Sequence, residues 1–219
     1  MSSRQEIKAY AQSAIRAQRS TSILAVLIVT LLIAAGSIFN TVPGGLLGSW
    51  MVLATIYFVD NVLNVNLAGL FVKVFQGQHS SANEIFSNFP INYLRKVGGM
   101  AWMQLFILLW SLLLIVPGII KGISYSMTSY ILADNPNVTA RQALKLSMRM
   151  TNGHKMDLFV MYLSFIGWLV LSVFTCMILY FAYVGPYMHA TYAGYYVQLR
   201  DKALVNGTIH ASELTGRLQ

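Results

Sequence analysis

The sequence predicts an all-α, polytopic membrane protein: a helical bundle of about six transmembrane helices, with amphipathic helices on its cytoplasmic surface. Three observations lead to this prediction. Only 15 Lys and Arg and 7 Asp and Glu occur in 219 residues, which is 10% charged, whereas soluble domains carry about a quarter. Hydrophobic residues make up 56%, and the mean hydropathy is +0.59. Charged residues are absent from three long runs, 20–59, 97–120 and 158–199.

This composition also excludes several classes of protein. Leu, Ile, Val and Phe are too frequent for a disordered chain, and so few charges do not suit a water-soluble globule. A single cysteine, Cys176, excludes a disulfide framework and a cysteine-based zinc cluster. The formal net charge is +8, but nucleic-acid binding requires a denser basic patch with stacking aromatic residues. We therefore expect no nucleic-acid partner.

The uncharged runs are divided into helices by clusters of Gly, Pro, Asp and Asn, among them Pro117-Gly118 and Gly185-Pro186. A helix needs roughly 20 residues to cross the hydrocarbon core, and a spanning segment must satisfy its own backbone hydrogen bonds. The last predicted span is rich in tyrosine, so we expect it to face the bundle or water rather than lipid. The predicted spans are 22–40, 47–73, 97–116, 119–133, 157–180 and 186–200.

The distribution of Lys and Arg predicts the orientation. If both termini are cytoplasmic, 14 of the 15 basic residues fall on inner segments, and Lys121 is the exception. Cytoplasmic segments carry such an excess of positive charge. The pattern predicts a multi-pass protein of the cell membrane with both termini inside. The number of crossings is then even: six, or four if two of the segments are only interfacial.

The predicted organisation has three parts. An amphipathic cytoplasmic helix occupies 1–20, the transmembrane bundle 21–202, and a cytoplasmic tail 203–219. Helix-capping patterns in the inner loops predict further helices near 81–89 and 139–152. We expect these amphipathic helices to lie on the membrane surface.

The inner-loop helix at 139–152 has a basic stripe. Thr139 and Gln142 fit a capping box, and Arg141, Lys145 and Arg149 follow at intervals of four residues. Basic side chains near the surface each add roughly 1 kcal/mol of attraction to anionic lipid. We expect these three residues to contact anionic headgroups of the inner leaflet.

Several short motifs resemble a known family. Leu109–Lys121 (LWSLLLIVPGIIK), Tyr130–Pro136 (YILADNP) and Leu163–Trp168 (LSFIGW) are similar to a bacterial family of small integral membrane proteins of the Gram-positive type, catalogued as a domain of unknown function. The resemblance spans roughly 65–200, with a looser match at Gln76–Phe89. It implies a multi-helix bundle in the cell membrane and no established reaction. The second span departs from the family pattern, because it is more polar.

That second span contains the main candidate site, which includes Asp60, Asn61 and Asn64. Asp60 is the only acid inside a predicted span, 12 residues after Gly48 and 13 before Lys73. A carboxylate near the bilayer centre costs roughly 2.5–3.5 kcal/mol. Asp60 therefore either belongs to a polar site for a cation, a proton or a headgroup, or is protonated or paired within an inter-helix hydrogen-bond cluster. A helix break near Asp60 would instead place the acid at the outer surface.

Lys121, Ser124 and Tyr125 of the fourth span complete the candidate polar intramembrane site. Lys121 is the only basic residue on the outer half, followed by a run of polar residues. Its long side chain could snorkel to the outer interface, pair with Asp60, or hold an anionic headgroup. The sequence leaves these three interpretations open.

Fingerprints of enzymes and cofactors are absent from the sequence. His189 has no second ligand three or four residues away, so we expect a hydrogen-bonded residue and predict no metal and no cofactor. A serine of the fourth span with His189 would be the remaining arrangement for an intramembrane protease. A membrane-embedded enzyme is therefore the least favoured function, and we expect no catalytic residues.

Two other functions remain. The first is a non-enzymatic accessory or interaction protein, whose partners would be membrane lipids and either another membrane protein or a second copy of the chain. The second is a small transporter, channel or lipid-handling protein that uses the polar site around Asp60. A continuous water-accessible cavity reaching Asp60 favours the second function, and a tightly packed bundle favours the first.

Overall fold

The computed structural model describes residues 4–38, 45–87, 92–175 and 177–215, without the side chains of 36–38, 45–54, 113 and 115. Every regular element in these ranges is helical, which confirms the predicted all-α class. The helices are α1 (Arg4–Ala17), α2 (Arg19–Ile38), α3 (Gly45–Phe75), α4 (Glu84–Ser87), α5 (Tyr93–Leu113), α6 (Ile115–Tyr125), α7 (Thr128–Asp134), α8 (Ala140–Thr151), α9 (Lys155–Phe174), α10 (Gly185–Val205) and α11 (Ala211–Leu214). A π-helical turn, Tyr180–Val184, leads into α10.

Two of the described helices are long and apolar enough to cross a membrane. They are the Thr55–Phe75 part of α3 and the whole of α9, and the bent pair of α1 and α2 adds a third if it is counted as one span. The predicted count of about six crossings is therefore not confirmed. Ser3, which the sequence predicts to begin a capping box, the helix break predicted after Asn40, and Cys176 lie outside the described residues.

Helix α3 is central and continuous, so the suggested break near Asp60 is wrong. Its 31 residues pack against α2, α5, α7 and α10. Gly69 allows close contact with α7, because a Cβ atom there would lie 2.9 Å from Ala133 Cβ. The buried face of α3 includes Leu63 and Phe71, each at most 1% exposed. This helix therefore positions the polar residues of the second span against several neighbours.

The fourth predicted span begins earlier than expected and is broken. A single extended residue, Leu114, separates α5 from α6, and α6 already contains Pro117. Proline lacks a backbone N–H but is tolerated in the first turn of a helix, where no intrahelical acceptor is available for that group. Pro117 therefore helps to begin a helix rather than to end one. The segment is then interrupted between α6 and α7.

The boundary between the last two predicted spans also differs from the prediction. Helix α9 ends at Phe174, before the predicted end at 180, and Met177 has a left-handed backbone with φ of 65°. Pro186 lies in the first turn of α10, directly after the π-helical turn. The wider turn and the early position of the proline let the helix pass the predicted Gly185-Pro186 break.

The predicted amphipathic helices are present, and their apolar faces are buried within the protein. Helix α1 is bent 94° from α2, and its Ile7, Ala11 and Ile15 are buried where α1 packs on α10. Helix α8 has the predicted capping box of Thr139 and Gln142. It buries Ala143, Leu144, Leu146, Ser147, Met150 and Thr151. The hydrophobic periodicity was correct, but protein rather than lipid covers these faces.

Candidate functional site

The candidate residues of α3 form a hydrogen-bonded cluster with α5. Asn64 Nδ2 donates to Asp60 Oδ1 at 2.6 Å. One turn earlier, Gln104 Nε2 of α5 donates to Asn61 Oδ1 at 3.1 Å, and the Tyr57 hydroxyl donates to Gln104 Oε1. Gln104 thus joins Tyr57 and Asn61 across the helix interface. Tyr57 and Asn61 thus belong to an inter-helix cluster, whereas the hydrogen bond between Asn64 and Asp60 lies within α3.

Asp60 itself is half-buried beside a small cavity. The cavity has a volume of about 180 Å³ between α2 and α3, and the described residues that line it are apolar apart from Asp60 and Thr55. Among the described residues, no Lys, Arg or His lies within 4.0 Å of the Asp60 carboxylate. One carboxylate oxygen accepts from Asn64. The carboxyl group therefore borders a space that could hold a proton, a cation or a polar group.

Lys121, Ser124 and Tyr125 are placed in a different environment. Lys121 Nζ lies 5.0 Å from the Trp110 ring centroid and 6.0 Å from that of Tyr125, the distances of cation–π contacts. The Ser124 carbonyl accepts from Ser147 Oγ at 2.8 Å, which connects α6 to α8. The structure thus does not join Lys121 to Asp60, and the predicted site separates into two groups.

The three basic side chains of the α8 stripe also lie in different surroundings. Arg149 Nη1 lies 2.6 Å from Glu213 Oε1, so this guanidinium contacts the C-terminal helix α11. Arg141 Cζ lies 5.6 Å from the Trp102 ring centroid, while Lys145 is exposed. The three side chains have separate neighbours. Contact with anionic lipid is therefore a prediction that applies best to Arg141 and Lys145.

A second polar contact was not anticipated. Lys96, which is 5% exposed, donates from Nζ to Asn66 Oδ1 at 2.6 Å. Asn66 Nδ2 donates in turn to the Ile85 carbonyl at 2.7 Å, so α3 connects α4 and α5. The sequence signal was the row of polar residues that continues from Asp60 to Asn66, but spacing along one helix does not identify partners on other helices.

Lys96 and its neighbour Arg95 lie just before the predicted third span. Burial, together with the charge of Arg95, lowers the pKa of Lys96 to about 8, so most of these side chains are still protonated at pH 7. The Arg95 guanidinium donates to the carbonyl oxygens of Leu132, Asn135 and Val138 at 2.6–2.8 Å. A cation is favoured there because carbonyl groups at a helix C-terminus carry partial negative charge.

His189 does not contact a fourth-span serine. Its ring stacks on Phe71, with the centroids 5.3 Å apart, while Ser124 Oγ donates to the Ile120 carbonyl and Ser126 Oγ to that of Ile123. Within the described ranges, no three His, Cys, Asp or Glu side chains are arranged to hold a metal ion.

Comparison with known proteins gives one match. Neither the curated proteins nor the solved structures contain a significant match to the chain. Residues 96–203 match the model of a family described as a protein of unknown function, DUF975. This segment runs from Lys96 at the start of α5 into α10, so it covers the motifs at 109–121, 130–136 and 163–168 but not the looser match at 76–89. The chain is thus similar, over residues 96–203, to a family whose function is unknown.

Proposed function

We propose that this chain is a multi-pass integral protein of the cell membrane that acts as a non-enzymatic accessory or interaction protein. The observation that carries the proposal is the outer face of α9. Eleven of its 20 residues are large hydrophobic residues with exposed side chains, and Val173 and Phe174 are 68% and 80% exposed. On a typical soluble monomer the largest apolar patch covers only about 300–600 Å², and larger exposed patches mark membrane or protein contacts. Exposed apolar residues over most of a 20-residue helix therefore indicate such a contact for α9.

Lipid is the most suitable cover for this face. At 1.5 Å per residue a 20-residue helix is about 30 Å long, which matches the thickness of the hydrocarbon core. Exposed apolar residues extend along the whole helix, from Met156 to Phe174. The excess of basic residues on the inner segments supports cytoplasmic termini.

Substitutions on α9 test the membrane assignment. Ile166→Lys places a charge near the middle of the exposed face, where insertion costs roughly 2.5–3.5 kcal/mol. We expect less protein in the membrane fraction after an alkaline wash than for the parent chain. Met156→Lys is the matched control, because Met156 is also exposed but lies in the first turn, where a lysine reaches the interface.

Reporter fusions test the orientation. A fluorescent protein fused to either terminus is expected to fluoresce in the cytoplasm, and a phosphatase inserted between α2 and α3 is expected to be active outside. Equal membrane retention of Ile166→Lys and Met156→Lys, a dark fluorescent protein at either terminus, or an inactive phosphatase between α2 and α3 would contradict the proposal.

Packing around Asp60 supports the accessory role over transport. The cavity beside Asp60 shares no lining residue with the larger cavity of about 340 Å³ at the other end of α3. Asp60 and Asn61 are engaged by Asn64 and Gln104. Gln104 thus joins α3 to α5, and the absence of a shared lining residue between the two cavities, among the described residues, supports the accessory role.

A small transporter, channel or lipid-handling protein is the second candidate, favoured by the cavity in which Asp60 is the only ionisable residue among the described lining residues. The test is ion flux and lipid scrambling in proteoliposomes that contain the parent chain, Asp60→Asn or the control Asp201→Asn. Asp201 is an exposed acid near the end of α10. Under the accessory role, all three match protein-free vesicles. Activity that is lost only in Asp60→Asn would establish the second candidate instead.

A further inference from the structure

A long groove lies between α6 and α9. Its volume of about 560 Å³ falls within the usual range of ligand pockets, roughly 300–1,000 Å³. Three helices contribute the residues that line it: Ile119, Gly122 and Ile123 of α6, several residues from Phe159 to Leu169 of α9, and Met188 and Tyr192 of α10.

The groove is open on its α6 side because Gly122 has no side chain. An added Cβ atom at Gly122 would meet nothing within 4 Å, whereas one at Gly118, a turn earlier, would overlap Ser111 of α5. Gly118 thus allows close packing of α6 on α5. Gly122, by contrast, leaves a space that no described residue fills.

The lining of the groove suits an uncharged occupant. No Lys, Arg, His, Asp or Glu is among its described lining residues. Apart from the hydroxyl groups of Tyr162 and Tyr192, the described side chains that line it are apolar. A charged group placed there would lose its hydration without gaining a partner. The groove therefore favours hydrocarbon.

The groove is continuous with the exposed face of α9. Leu163 and Ile166 line the groove and also belong to that face, and Ile119 is an exposed apolar residue on the α6 side. The proposed function assigns this face to lipid. Hydrocarbon from the bilayer would thus enter the groove without passing a charged residue of its described lining.

The size of the groove suits a chain that is thinner than a helix. From Phe159 to Leu169, α9 rises about 15 Å at 1.5 Å per residue, so the volume of about 560 Å³ corresponds to a mean cross-section of about 40 Å². A helix with its side chains is about 10–12 Å across, a cross-section of roughly 80–110 Å². A whole helix of a partner is therefore too wide.

We propose that the groove holds one acyl chain of a membrane phospholipid, lying along α9. This inference rests on the proposed function, because lipid surrounds the groove only if the α9 face lies in the bilayer. With Lys155 at the cytoplasmic end, the groove extends from about 6 to about 21 Å along α9, mostly within the inner half of the hydrocarbon core. The lipid thus belongs to the inner leaflet.

Close packing is the interaction that would hold this chain. Lipid tails are as apolar as the groove, so exchange between bilayer and groove gains little from the hydrophobic effect. Each contact between carbon atoms is worth only about 0.1–0.2 kcal/mol, but many such contacts add up. A side chain that fills the groove should therefore displace the acyl chain.

The experiment measures phospholipid held by the full-length protein. Detergent-purified protein is mixed with phosphatidylcholine that carries a photoreactive diazirine in one acyl chain. Unbound lipid is removed before illumination, and adducts are counted and located by mass spectrometry. Gly122→Leu fills the groove. Gly167→Leu is the matched control, because a Cβ atom there also meets nothing within 4 Å but Gly167 does not line the groove.

We expect the parent chain and Gly167→Leu to carry adducts on the lining residues of α6 and α9, and Gly122→Leu to lose most of them. Leucine is favoured over glycine in helices, so both variants should fold. If Gly122→Leu does not fold, Gly122→Ala provides the test, with a smaller expected loss.

Equal labelling of the parent chain and Gly122→Leu, or adducts spread evenly over all exposed apolar residues, would overturn the proposal. A cross-linked dimer that Gly122→Leu dissociates would identify a second copy as the occupant and overturn it as well. Membrane retention after the alkaline wash separates this proposal from the proposed function. If the parent chain is retained but its groove is not labelled, only the acyl-chain proposal fails. If the parent chain is washed off, both fail.

Discussion

Replacement of Gly194 by alanine is expected to destabilise the bundle by about 1–3 kcal/mol, the usual cost of overpacking a core. Helix α10 passes so close to α3 at this point that an added Cβ atom would overlap the ring of Phe75. The ring cannot move aside easily, because it is buried and its centroid lies 4.8 Å from that of Tyr10. The measurement is the free energy of unfolding in mixed micelles by titration with a denaturing detergent.

Gly167→Ala is the matched control for this prediction. Gly167 also lies inside a long helix, α9, but an added Cβ atom there meets nothing within 4 Å. Alanine is favoured over glycine in helices by roughly 0.5–1 kcal/mol, so this variant should be slightly more stable than the parent. The two glycine substitutions thus have opposite expected signs. A stable Gly194→Ala protein would mean that α3 and α10 are further apart than described.

Replacement of Asn66 by leucine is the second large effect. It removes an acceptor of Lys96 Nζ and the donor to the Ile85 carbonyl at a residue that is 7% exposed. A hydrogen bond to a charged group contributes about 1.5–3 kcal/mol, and a neutral hydrogen bond contributes about 0.5–1.5 kcal/mol. We therefore expect Asn66→Leu to lower the free energy of unfolding by about 3 kcal/mol, measured in the same micelles.

A double-mutant cycle separates this contact from general damage to the core. In the Lys96→Met background the ammonium group is absent, so Asn66→Leu should cost at least about 1 kcal/mol less, within the usual range for residues in contact. In the Lys145→Met background the effects should add. A cycle with no coupling between Asn66 and Lys96 would show that their hydrogen bond does not stabilise the fold.

Local signals in the sequence predicted local structure well. Thr139 and Gln142 predicted the start of α8 because a capping box involves only four neighbouring residues. The apolar faces of α1 and α8 were identified from their helical spacing. Their burial against the bundle could not be predicted, because periodicity shows that a face is apolar but not what covers it. Pro117 was misassigned for a similar reason, since proline is compatible with both the end and the first turn of a helix.

In the candidate site, too, a contact within one helix could be predicted, whereas contacts between helices could not. Asp60 and Asn64 were both included in the candidate site, and Asn64 does donate to Asp60. Gln104 and Lys96 were not included in the site, because they lie 43 and 30 residues from their partners Asn61 and Asn66. Helical spacing identifies pairs three or four residues apart, whereas these pairs depend on how helices pack. The polar residues of α3 could therefore be recognised in the sequence, but their partners on α5 could not.

The packing of α1 on α10 has a consequence for biosynthesis. Gln12 Nε2 of α1 donates at 2.8 Å to the hydroxyl of Tyr183, 171 residues later in the π-helical turn that leads into α10. Ribosomes add about 5–20 residues per second, so roughly 10–30 s separate the emergence of these two partners. Helix α1 is made well before α10, so its apolar face must wait until α10 emerges before protein covers it. During this interval a chaperone or the bilayer surface has to shield Ile7, Ala11 and Ile15, and a chain truncated before α10 would keep them exposed.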